Sequence, residues 1–182
     1  MIVKLVAVLA MAAALSGCTK AKPSDFEGAL PRFLLEEFFA GRTIASGILE
    51  DRFANLRRQF VVTIDGTWEG AEFVLDERFD YSDGERQRRV WRIRKIGTNN
   101  YEGRADDVVG IANGESFGNV LNWRYEMDLP ISGWNWRVTF DDWMYLQPSG
   151  VIINRAQIRK LGIEIGTVTI AFTKPDKSVE SD

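Results

Sequence analysis

Between Leu121 and Leu129 every second residue is large and apolar: Leu121, Trp123, Tyr125, Met127 and Leu129. The residues between them, Asn122, Arg124, Glu126 and Asp128, are all polar. Side chains alternate across a strand, so the run reads as a ribbon with one oily and one wet face. The same text recurs along the chain. Phe60, Val62 and Ile64 alternate with their neighbours, and Phe73, Leu75, Phe79 and Tyr81 lie opposite Asp76, Arg78 and Asp80. Trp136, Val138 and Phe140 repeat the pattern, and two closing runs begin at Val151 and Ile163. Ser82-Asp83-Gly84-Glu85 supplies an Asp-Gly hairpin turn. Such text predicts eight or nine strands joined in order as antiparallel neighbours. An open sheet of that size must curl or close to protect its edges. The expected fold is therefore mainly β, an antiparallel up-and-down barrel, with a two-sheet β-sandwich as the alternative. One short helix is expected over residues 31–40. Pro31 would sit in its first turn, Gly41 would cap it, Phe33, Leu34, Leu35 and Phe38 would form its stripe, and Glu36 and Glu37 its wet side.

The first eighteen residues read as an address. Lys4 precedes an apolar run, Leu5 to Leu15, too short to span a bilayer permanently. It ends in Leu15-Ser16-Gly17-Cys18, which resembles the lipobox of bacterial lipoproteins, and Cys18 is the only cysteine. The expectation is cleavage before Cys18 and acylation of its thiol, with several acyl chains making the attachment stable. This divides the chain into a signal peptide over 1–17, a lipidated tether over 18–30, one barrel domain over 31–174 and a disordered polar tail over 175–182. Thr19, rather than an aspartate, follows the cysteine. By analogy with enterobacterial sorting, that favours a periplasm-facing position on the outer membrane.

Charge excludes one class of partner. The formal net charge is −3, with acids and bases mixed throughout, so no nucleic-acid surface is expected. The basic cluster Arg86, Arg88, Arg89, Arg92, Arg94 and Lys95, interleaved with Val90, Trp91 and Ile93, reads first as the wet face of a strand. Anionic lipid headgroups are its alternative partner. The expected membrane contact is the acyl anchor, and a protein partner stays unspecified.

Several longer segments, LPRFLLEEFFAGRTIASGILEDRF, FDYSDGERQRRVWRIRK, ADDVVGIANGESFGN, TFDDWMYL and VIINRAQIRKLGIEIGTVTIAF, resemble the bacterial lipoproteins known as domain of unknown function 3833. The resemblance runs from about Leu30 to Lys174. It implies a lipoprotein without assigned activity and a lipocalin-like barrel, and it hints at lipid chemistry. It brings no catalytic residues. The tip Gln147-Pro148-Ser149-Gly150 carries no functional weight.

The chain has no histidine, which excludes histidine-based triads and histidine-ligated metals. Gly110, Gly114 and Gly118 are spaced unlike a nucleotide-binding loop and read as bulges or turns. No catalytic residue, metal site or cofactor is expected beyond the covalent lipid. Four charges fall on faces that period-two counting sends inward: Glu77 between Leu75 and Phe79, Asp142 beyond Phe140, Arg89 beside Trp91, and Arg155 after Val151 and Ile153. Buried charges need partners. They form either structural ion pairs or a polar centre in an apolar cavity, which could orient an amphiphile's headgroup. Trp123, Tyr125 and Trp136 complete the expected lining, and Trp134 and Trp143, both counted on faces that oppose the core set, are candidates for a ligand entrance. Asp106–Asp107 and Asp141–Asp142 converge only if strands bring one of each together. The expected function is non-catalytic binding of a lipid or other small apolar molecule. The alternatives are a structural adaptor docking another envelope protein and a carboxylate-dependent enzyme of lipid modification.

Overall fold

The computed structural model describes residues 20–131 and 133–175, and among them ten antiparallel strands close into one barrel. The strands are β1 Gly41–Asp51, β2 Leu56–Glu69, β3 Glu72–Tyr81, β4 Arg86–Lys95 and β5 Asn100–Arg104, followed by β6 Val108–Phe117, β7 Val120–Ile131, β8 Trp134–Leu146, β9 Ile152–Lys160 and β10 Ile163–Thr173. Each pairs with its neighbour in sequence, and β1 closes the wall against β10, from Ile44 opposite Thr173 to Asp51 opposite Gly166. Closure removes both edges, as the edge argument requires. The count of eight or nine is corrected to ten. The five-residue β5 offers only Tyr101 and Gly103 as inward residues, too little alternation to register as a strand. The segment expected as a signal peptide, Cys18, Thr19 and residues 176–182, expected as a polar tail, lie outside the described residues.

Inward positions carry the apolar text. Val62, Ile64, Phe73, Trp91, Tyr101 and Ile152 are all buried. Outward positions carry charge. Asp65 accepts from Arg42 at 2.9 Å and from Arg78 at 2.8 Å, and Asp76 accepts from Arg78 at 2.7 Å and Arg88 at 2.8 Å, a ladder across β1 to β4. Exposed pairs of this kind contribute little individually. They do fix which face meets water. The basic cluster largely joins them: Arg86 pairs with Asp80, Arg92 with Glu69, Arg94 with Glu72 and Lys95 with Glu36. Arg89 alone turns inward.

The expected ten-residue helix is corrected to a single turn, α1 Leu35–Phe38, preceded by extended chain. Phe33, Leu35 and Phe39 are the buried residues of this segment, a set that no straight helical stripe would bury together. The chain instead crosses one end of the barrel as a floor. It presses so closely on β2 that a Cβ at Gly66 would overlap the Phe39 carbonyl. Ser116 Oγ donates to the Phe33 carbonyl at 2.5 Å, and Lys95 and the Tyr101 hydroxyl both bond Glu36, at 2.6 and 2.8 Å.

The segment expected as a polar tether lies, from Lys20 onward, on the outer wall. A 3-10 turn, Pro23–Phe26, buries Pro23. Phe26 meets Trp143 and Tyr145 with ring centroids 6.3 and 6.0 Å apart. Lys20 pairs with Asp141, which also accepts from Asn122 at 2.8 Å. This strap explains why outward Asn122 and Asp141 are buried.

Candidate ligand-binding site

A meander sends every odd-numbered strand toward one end of the barrel, where the 52–55, 82–85, 105–107 and 161–162 connections gather. The other end is closed by α1 and its flanks. Between them lies a cavity of about 410 Å³, within the range of small-ligand pockets. Leu35, Phe39 and Phe172 form its floor, and Leu49, Arg58, Tyr81 and Leu129 stand at its mouth. Around that mouth the hairpin tips carry exposed apolar side chains: Leu161 at 94% exposure, Trp134 at 75%, Phe53 at 70% and Ile163 at 62%.

One wall is aromatic. Trp91 meets Trp123 and Tyr125 edge-on at 5.6 and 5.3 Å, and Tyr125 stacks on Phe140 at 4.9 Å. Trp123 can lie flat there because β5 and β6 present Gly103 and Gly114 beneath its ring. Gly110, with φ of 74°, sits within the irregular β6–β7 register, and Gly118, with φ of 54°, turns between those strands. Both glycines thus serve the backbone.

The polar centre is held halfway down. Glu77 and Arg89 face each other across β3 and β4, their charged atoms 3.9 Å apart. Arg89 Nε and Nη2 donate to Asp107 at 2.9 and 2.8 Å, so that its fork is held from the rim. Burial pushes the Glu77 carboxyl up to about 7, against the pull of Arg89. Burial likewise pushes Asp142 up to about 6, although Asn154 and Tyr125 hydrogen-bond its charged form. Burial and the Asp142 charge raise the Tyr125 hydroxyl well above its usual range. Burial opposes the Arg89 charge, yet Tyr125, Glu77 and Asp107 hold the proton there more tightly than usual.

Of the seven lining residues expected from sequence, Glu77, Arg89, Trp123, Tyr125 and Asp142 meet in the cavity. Arg155 does not. Ile152, Asn154, Ala156 and Ile158 are the buried face of β9, and Arg155 points outward with the exposed Ile153. Trp136 lies on the inward face but outside the cavity, where Lys160 Nζ caps its ring 3.2 Å from the centroid. Trp143 lines no entrance, because it packs under Phe26 on the outer wall, while Trp134, with the inward parity of Trp136, stands exposed on a hairpin tip at the mouth rather than in the cavity. Asp141 and Asp142 point to opposite faces, and Asp107 is engaged with Arg89 rather than with Asp142. The residue that sequence reasoning missed is Asn154, which donates to Asp142 at 3.1 Å. Its signal was available, since Arg155, Gln157 and Arg159 make a polar face only if Asn154, Ala156 and Ile158 make the inner one.

A family model described as "Protein of unknown function (DUF3833)" matches residues 12–174. No curated protein matches the chain. Among solved structures, the barrel is similar to the S-type phycobiliprotein lyase CPES of Guillardia theta. The TM-score is 0.57 at 13% identity, over 86% of this chain and 99% of that one. At that identity the likeness speaks to the lipocalin-like fold.

Proposed function

The chain belongs to the DUF3833 family of proteins of unknown function, and we propose that it is a lipid-anchored protein of the bacterial envelope that holds one apolar or amphipathic molecule in its barrel, without turning it over. The observation that carries this reading is the cavity itself: about 410 Å³, floored at one end and open at the other, mainly apolar, with one buried cluster of charged groups within and the Arg58–Glu85 pair at the mouth. A structural adaptor would need no hollow interior. The exposed apolar tips around the mouth suit exchange of the ligand with a lipid surface, since large contiguous apolar patches mark interaction sites. The anchor is acylated Cys18 on the periplasmic side of the outer membrane.

Native mass spectrometry of the full chain, released gently from its own membrane, is expected to show a co-purifying lipid of one-to-one stoichiometry. Ala156 projects into the cavity, so Ala156→Trp is expected to fill it and abolish binding of the fluorescent probe N-phenyl-1-naphthylamine while leaving the β-type circular dichroism intact. Probe bound equally by this variant would count against the cavity as the site. Cys18→Ser is expected to lose radiolabelled palmitate and to leave the membrane fraction. Glu77→Gln and Asp142→Asn bear on the carboxylate-enzyme alternative, which requires that they abolish a turnover.

A further inference from the structure

We infer that the cavity selects an amphiphile whose polar end donates hydrogen bonds, an alcohol or an ammonium group, over the matching carboxylate. The inference rests on the binding reading above and specifies the class of ligand. Its first support is an orphaned acceptor. Asn154 is only 2% exposed, lines the cavity, and donates through Nδ2 to Asp142, while its Oδ1 has no hydrogen-bond partner. That oxygen is sealed from the cavity as the amide stands, and an unpaired buried acceptor is costly; a small turn of the side chain toward the cavity that its residue lines would let a donor on the ligand remove that cost. Turning the amide around would aim Oδ1 at the Asp142 carboxylate instead, so the donor belongs on the ligand side.

The second support is the charge around it. Arg89 is the one guanidinium of the centre, against the carboxyl groups of Glu77, Asp107 and Asp142. Its Nε and Nη2 are taken by Asp107. The Tyr125 hydroxyl is engaged with Asp142. The centre therefore has unsatisfied acceptors and few free donors. An incoming carboxylate would add a fourth negative group to a site whose burial already opposes the charges of Glu77 and Asp142. A hydroxyl fits Asn154 Oδ1 and an ionised Asp142 together, and an ammonium also offsets the acidic excess.

The test displaces N-phenyl-1-naphthylamine from the purified full chain at pH 7.5 with three probes of one chain length: dodecan-1-ol, dodecylamine and dodecanoate. The alcohol and the amine are expected to bind about tenfold more tightly than the acid, the value of one satisfied buried polar group. Asn154→Leu is expected to bring the alcohol within about threefold of the acid while still binding N-phenyl-1-naphthylamine. If that variant does not fold, the three-probe ranking on the native chain decides alone. Dodecanoate binding as tightly as the alcohol and amine overturns the inference and leaves the binding reading standing. Failure of the fluorescent probe and all three competitors to bind overturns the binding reading itself.

Discussion

Between pH 5 and pH 8 the ligand-free protein is expected to lose about 3 kcal/mol of stability, and Glu77→Gln to remove most of that loss. The sign follows from proton counting. Glu77 titrates near 7 in the fold against an ordinary value of 4.5, and Asp142 near 6 against 3.8. Through that window the folded chain keeps protons that the unfolded chain has released, so rising pH favours unfolding. The contribution is intact below the unfolded values and is gone once pH has passed the folded ones. The two carboxyls share Arg89 and feel each other, so they titrate as a coupled pair and their separate losses do not simply add. Asp65 and Asp76 act in the opposite sense. Hydrogen bonds from Arg42 and Arg88 hold them below the usual carboxylate range, and their contribution is lost only as pH falls through those lowered values. Maximum stability should therefore lie near pH 5. Urea titrations at half-unit steps, with a constant slope confirming two-state behaviour, measure the profile. A flat or rising curve from pH 5 to 8 would mean that the centre is as well hydrated as open water. Asp142→Asn should ease the slope only below about pH 6, whereas Glu77→Gln should ease it from pH 5 through about pH 7.

Much of this site was legible because period two is a strict rule where one face is buried. On β3, β4, β7 and β8 the alternation is long and clean. It places Glu77, Arg89, Trp123, Tyr125 and Asp142 on the inner face without reference to any neighbour. On β9 the first apolar residues, Val151 and Ile153, invite the opposite register, and only the charges beyond them correct it. Face is also not depth. Trp136 has inward parity, but it stands toward the mouth end of β8 under Lys160, and nothing in the alternation distinguishes that position from the cavity. The floor was hidden for a different reason. Phe33, Leu35 and Phe39 are buried by where the chain crosses the barrel end, which is a tertiary constraint with no local period. The strap likewise reads as polar tether, because Phe26 finds its ring partners on β8 and its turn packs against β6 and β7 rather than within its own segment.

The seat of Trp123 should be the least forgiving part of the cavity wall. Gly103, Gly114 and Trp123 lie on three successive strands, with Gly114 directly paired to Trp123, and the indole lies across both glycines. A Cβ at Gly103 would come within 2.5 Å of Trp123 Cζ2, and one at Gly114 would overlap the other ring edge. The atoms in conflict are a rigid aromatic ring and the backbone of a closed sheet, so neither can move by a small torsion. The ring has to leave its seat, and the hollow interior is the one place it can go. Gly114→Ala is accordingly expected to cost about 3 kcal/mol, a fall in melting temperature of about 6–12 °C, and to diminish ligand capacity because the displaced indole occupies the cavity. The cause is separable from a general intolerance of alanine in β6. In a Trp123→Leu background, itself destabilised by lost aromatic packing, Gly114→Ala should be close to neutral, a coupling of about 3 kcal/mol in a double-mutant cycle. Additive costs in that cycle would show that the glycine serves the strand rather than the indole.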